Sequence, residues 1–176
     1  MALPRPVAQL WDELQAVRAQ VLQEAEGLSQ TQADWKPSEK DWSVGEIIDH
    51  LTIAEVATGK LTTKLTKEAA AGGFPADLKA FAPLPPMQEG LDAPPVVWPS
   101  HGKPIGELLA TMKATRERSR QSVEKLATVD PRRLHFKHGH LGDLDLGQWW
   151  VLQASHDGIH LAQLRDVKAA HGFPKS

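Results

Sequence analysis

The chain has 176 residues with 20 Lys and Arg against 22 Asp and Glu. A single core is therefore expected over residues 1–176, and a formal charge of -2 offers no field to draw in nucleic acid or an anionic membrane. With 41% hydrophobic and 24% charged residues and a mean hydropathy of -0.36, the composition is that of a soluble globular protein, and the absence of cysteine excludes a disulfide framework, a zinc ribbon, an iron–sulfur cluster and a cysteine nucleophile.

From Met1 to Leu14 no basic segment precedes an apolar run, so a cytoplasmic location is expected. The first helix is predicted over residues 6–28, where Leu10, Leu14, Val17 and Val21 recur at spacings of four and three and Trp11 and Ala25 widen the same face. Gly27 marks its end. A serine N-cap followed three residues later by glutamate, Ser43 and Glu46, announces a second helix over residues 43–71, with Val44, Ile47, Ile48, Leu51, Ala54, Leu61 and Leu65 on its apolar face and Gly72-Gly73 as a stop.

Residues 73–103 are then predicted to form a long crossover, because eight of the thirteen prolines lie between Gly73 and Pro104 and forbid a continuous helix or a central strand. A third helix is expected over residues 104–128, from Pro104 to the Asp130-Pro131 break, with Ile105, Leu108, Leu109, Met112, Val123 and Leu126 on one face. Arg116 and Ser119 interrupt that face, either to line a pocket or, for the arginine, to snorkel to water. The fourth helix follows the cap-like Asp145-Leu146-Gly147-Gln148 over residues 146–171. No strand is predicted, so the fold class is all-α, a four-helix bundle whose long link allows parallel neighbours.

The chemistry gathers on the fourth helix. His156 and His160 are four residues apart, which puts two imidazoles on one side of a helix one turn apart, and both fall on the stripe with Trp149, Leu152, Ile159, Gln163 and Val167. This pattern lacks the glutamate of HExxH, since Asp157 stands there, and a metalloprotease is excluded on that point. His50, at the edge of the second helix's apolar stripe, is the candidate third ligand. The competing reading is three ordinary histidines hydrogen-bonded within a core. Three neutral imidazoles with open positions would suit zinc or nickel in a reactive site. His135, His138 and His140 form a second cluster, read as solvated loop histidines, a pocket rim or ligands, whereas His101 and His171 carry no pattern. Among the six tryptophans, Trp149 shares the histidine face, where a pocket wall is the alternative to the preferred core reading, and Trp11, Trp35, Trp42 and Trp150 are read more simply as core or cap packing.

The segments Trp42 to Leu51 (WSVGEIIDHL) and Gly147 to Leu164 (GQWWVLQASHDGIHLAQL), with the run His138 to Leu144 before the latter, resemble the two signatures of the DinB/YfiT-like family. The resemblance spans most of the chain, with residues 73–103 standing apart. It implies a four-helix bundle of up-down-down-up topology, often homodimeric, with a divalent metal held by three histidines that map onto His50, His156 and His160. Similar proteins of known activity include bacillithiol S-transferases and mycothiol-dependent enzymes such as maleylpyruvate isomerase. The resemblance therefore implies a metal-dependent transferase acting on a small-molecule substrate with an external low-molecular-weight thiol, which a chain without cysteine cannot supply itself. The alternatives are a non-enzymatic metal-binding or stress-response module and a metal-dependent hydrolase, the latter short of a base because Asp157 lies about 100° from His156 on the helix and Glu46 belongs to the cap.

Overall fold

Three of the five helices begin where a local capping box satisfies their orphan backbone donors, and the other two begin after Pro4 and Pro104. In the computed structural model, which describes residues 2–69 and 72–176, Ser43 Oγ accepts from the Glu46 amide at 3.1 Å while the Glu46 carboxylate accepts from the Ser43 amide at 2.8 Å. Asp145 and Gln148 make the same reciprocal pair at 2.8 and 3.0 Å, and Ser29 with Gln32 makes a third. The helices are α1 (Arg5–Ala25), the short α2 (Gln30–Asp34), α3 (Val44–Glu68), α4 (Ile105–Leu126) and α5 (Leu146–Ala169). The four long ones are those expected from the sequence, with α1, α4 and α5 ending two or three residues earlier than expected. For α3 the expected end at residues 70–71 lies outside the described residues.

Side-chain pairs fix the directions of the four long helices. Arg18 meets Asp157 and Glu24 meets Arg165 and Lys168, so α1 and α5 run parallel. Thr62 meets Trp150, Thr58 meets Gln153 and His50 meets His156, so α3 and α5 run antiparallel. Glu55 meets Arg116 and Thr63 meets Lys125, so α3 and α4 run parallel. The bundle is therefore up-down-down-up. Two consecutive parallel helices cannot be joined by a tight turn, and the chain between Glu68 and Ile105 contains, among its described residues, a single 3-10 turn at Pro95–Val97.

Two elements were not legible as such. Residues before α5 form a small antiparallel hairpin, β1 (His135–His138) with β2 (Gly142–Asp145), in register His135 to Asp145 and His138 to Gly142. Strands of four residues are too short to carry a usable alternation, β1 having three exposed positions, and Gly142 provides the positive φ of +79° that the turn needs. The short α2 is likewise below the length at which periodicity can be read.

The core divides in two. Val21, Ala25, Ile47, Ile48, Leu51, Met112, Leu161 and Leu164 pack at one end of the bundle, and Val7, Leu10, Leu14, Leu65, Val123, Leu126, Leu146 and Trp150 at the other. On every long helix the passage between the two is made by buried polar residues: Arg18 on α1, Glu55, Thr58 and Thr62 on α3, Thr115, Arg116, Ser119 and Ser122 on α4, and Gln153 and Asp157 on α5. Phe81 from the connection seals the second cluster against α5, and a Cβ on Gly147 would lie 2.4 Å from its ring. No helix among the described residues is long and apolar enough to cross a membrane.

Candidate metal centre

The antiparallel pairing of α3 and α5 carries His50 across from His156 and His160. His50 Nε2 lies 2.9 Å from His156 Nε2, and His160 Nε2 lies 3.0 Å from the same atom. The three residues each offer one ring nitrogen within 4.8 Å of the others, and they are the one such group of three His, Asp or Glu side chains found among the described residues.

The outer nitrogens fix the tautomers. His50 Nδ1 is 2.7 Å from the carbonyl oxygen of Val97, and His160 Nδ1 is 2.6 Å from Oε1 of Gln163. Both oxygens only accept, so we assign the protons to the Nδ1 atoms, which leaves lone pairs on both inner Nε2 atoms. A proton on His156 Nε2 can serve only one of them. A single cation facing all three nitrogens satisfies them together, and partners on the outer nitrogens are the usual support of histidine ligands.

Burial reinforces this. Desolvation, and then repulsion from His160 and His50, pushes His156 down to about 2, and desolvation followed by His50 takes His160 to about 4. Desolvation also lowers His50, against the opposing pull of the Val97 carbonyl and Asp49. The three rings are neutral near pH 7, which is the form that binds a metal ion. Trp42 packs against the first apolar cluster, as expected, and also covers one side of the group, its ring 4.7 Å from that of His50 and 6.0 Å from that of His160.

Trp150 is the fully buried tryptophan, donating to Thr62 at 3.0 Å, and Trp149 lies beside His138 with ring centroids 5.3 Å apart. The second histidine cluster is engaged by its hairpin and by the segments beside it. His135 has Asp143 at 2.8 Å on one nitrogen and the Arg132 carbonyl at 2.7 Å on the other, and His138 Nδ1 accepts from the amides of His140 and Leu141, both at 3.1 Å. His140 reaches the Asp92 carbonyl at 3.1 Å.

One expectation is corrected. Arg116 neither snorkels nor lines an open pocket; it is buried and donates to Glu55 at 2.7 Å and to Asp157 at 3.1 Å. Asp157, expected to be poorly placed as a base for lying about 100° from His156, is 1% exposed and held by arginines, because α5 is enclosed on several sides rather than on one stripe. Sequence reasoning missed the partners that complete this group. Arg18 on α1 donates to Asp157 at 3.0 and 2.9 Å and sits 2.7 Å from Glu55, while Ser119 donates to Glu55 at 2.5 Å. The available signal is a charged residue set into the apolar stripe of each long helix.

The helical bundle and its histidine group define a class of helical protein with a candidate metal centre. The model of the DinB superfamily matches residues 13–164, and the chain belongs to that superfamily. It is similar to the uncharacterized protein YuaE of Bacillus subtilis (strain 168), 26% identical over 155 residues that cover 86% of this chain and 92% of that one. It is also similar in fold to TT2238, a four-helix bundle protein of known crystal structure, with a TM-score of 0.64, 18% identity, and coverage of 90% of this chain and 98% of that one.

Proposed function

We propose that this DinB-like chain is a single-domain metalloprotein in which His50, His156 and His160 hold one divalent ion, zinc or nickel, and that it transfers an external low-molecular-weight thiol to a small-molecule acceptor. The observation that carries the reading is the convergence of three neutral imidazole nitrogens, with lone pairs on His50 and His160 assigned by Val97 and Gln163. A divalent cation bound there would supply a positive charge that lowers the pKa of a thiol or water. The chain's own part is to hold three neutral donors in place and, with no cysteine of its own, to leave the sulfur to a cosubstrate. The reading includes a homodimer in the cytoplasm, and the charge of -2 argues against nucleic acid or membrane as partner.

A hydrolase is less well supported, because the nearby carboxylates are engaged: Glu46 in its cap, Asp49 with Lys103 at 2.9 Å, and Asp157 with two arginines. The test is elemental analysis of untagged protein beside His160→Ala. About one zinc or nickel per chain, lost in the variant, supports the centre; no metal in either, even after reloading, removes it. Loaded protein incubated with candidate thiols and an epoxide or chlorinated acceptor then tests transfer. No acceleration over free metal would leave a binding module without turnover.

A further inference from the structure

Four charged side chains lie buried in the middle of the bundle, one from each long helix, and their distribution is not symmetrical. Both carboxylates belong to the helices that carry the histidines, Glu55 on α3 and Asp157 on α5. Both guanidinium groups belong to the helices that carry no triad histidine, Arg18 on α1 and Arg116 on α4. Each arginine touches both carboxylates. Arg18 Nη2 is 2.7 Å from Glu55 and 2.9 Å from Asp157, and Arg116 reaches Glu55 at 2.7 Å and Asp157 at 3.1 Å. Glu55 lies five residues after His50, and Asp157 directly follows His156.

We infer that Arg18 and Arg116 are positioning residues for the histidine triad, two planar forks that fix the register and separation of α3 against α5 and so the gap between His50 and the His156–His160 pair. This rests on the proposal that the triad holds a metal ion. The geometry is unlike one selected for stability alone. Four charges are withdrawn from water, and Arg18 Nη1 is buried without a hydrogen-bond partner among the described residues. Well-packed apolar residues commonly replace such groups without loss of stability. What apolar side chains cannot supply is direction. A guanidinium that donates along fixed vectors to two carboxylates holds two helices at one relative height and rotation, whereas packed methyl groups tolerate a sliding helix. A ring on α3 must meet two rings on α5, so an error in that register opens the ligand set directly.

The test compares zinc affinity, by competition with a chromophoric chelator, and melting of the metal-free protein. It uses the wild-type chain, a chain carrying Arg18→Met, Glu55→Met, Arg116→Met and Asp157→Leu together, and a chain carrying Arg18→Lys alone. The fourfold variant is expected to keep or raise the melting temperature of the metal-free protein while binding zinc about 10–100-fold more weakly, and the cobalt-substituted protein is expected to show a changed ligand-field spectrum. Lysine keeps the charge of Arg18 but cannot bridge two carboxylates along fixed directions, so Arg18→Lys is expected to weaken zinc with little change in melting. Should the fourfold variant fail to fold, Arg18→Lys decides. Unchanged zinc affinity in a folded variant, or a loss of affinity no larger than the loss of stability explains, overturns the inference and leaves the metal proposal standing. Absence of zinc binding by the wild-type chain overturns both.

Discussion

The carbonyl oxygen of Val97 accepts a hydrogen bond from His50 Nδ1 at 2.7 Å, which ties the proline-rich connection to the histidine group. This contact also explains why His50 presents Nε2, and not Nδ1, toward His156. Val97 closes a 3-10 turn that begins at Pro95, so the carbonyl is held by ring-restricted backbone. Replacing Pro94 and Pro95 together with glycine is expected to leave the helical circular dichroism unchanged and to weaken zinc binding by about tenfold, the lower end of what loss of such a support costs. Competition titration with a chelator checks it.

Acid should destabilise the metal-free protein earlier than a bundle without the triad. The folded-state values of His156 and His160, about 2 and about 4, lie below the ordinary 6.5, so the unfolded chain binds protons first as the pH falls. Stability is full above about 6.5 and declines progressively below it, through the folded values. Thermal melts of metal-free protein between pH 7 and 4 should show this decline, and His156→Gln should flatten it.

His135 is shifted in the opposite sense. The carbonyl of Arg132, and then Asp143, hold its proton and raise it above the usual histidine range. Its contribution to hairpin order is therefore present below the unfolded value and lost as the pH rises through the folded one. Histidine NMR titration should place His135 above 6.5, and Asp143→Asn should bring its midpoint down.

Glu55→Ala should be among the most damaging single substitutions in the chain. It leaves Arg18 and Arg116 sharing one carboxylate in a buried site, and breaking a buried pair costs about 3–5 kcal/mol. Urea unfolding of the metal-free protein measures it.

Gly147→Ala is expected to cost about 1–3 kcal/mol through overpacking, since the added carbon would lie 2.4 Å from Phe81. In a double-mutant cycle with Phe81→Ala, most of that cost should disappear, which would show that the clash with the ring is responsible.

Much of this could be read from the residues in order. Ser43 with Glu46, Asp145 with Gln148, and the spacing of Leu10, Leu14 and Val21 carry their information locally, within one or two helical turns. His156 and His160 share a face by the same local rule, and the structure brings His50 to them. Arg18 and Glu55 escape such a reading because their meaning is non-local: Arg18 acquires its partner 139 residues away, and periodicity assigns a charged residue to the surface unless that partner is known. The burial of Asp157 was not legible for a related reason. A single stripe describes a helix packed on one side, whereas α5 meets α1, α3 and the hairpin. The hairpin and α2 are too short for any period to accumulate.

The division of the core into two apolar clusters has a consequence for motion. Amides open in contiguous cooperative units, and two apolar clusters separated by a layer of charged and polar side chains are suited to form two such units. The end that holds Ile47, Ile48 and the histidines is then expected to have its own opening equilibrium, distinct from that of the Trp150 end, which amide hydrogen exchange measures. A ligand taken up by the histidines would deepen amide protection in one half of each long helix, so a single helix would carry two exchange regimes with their border near Arg18, Glu55, Arg116 and Asp157.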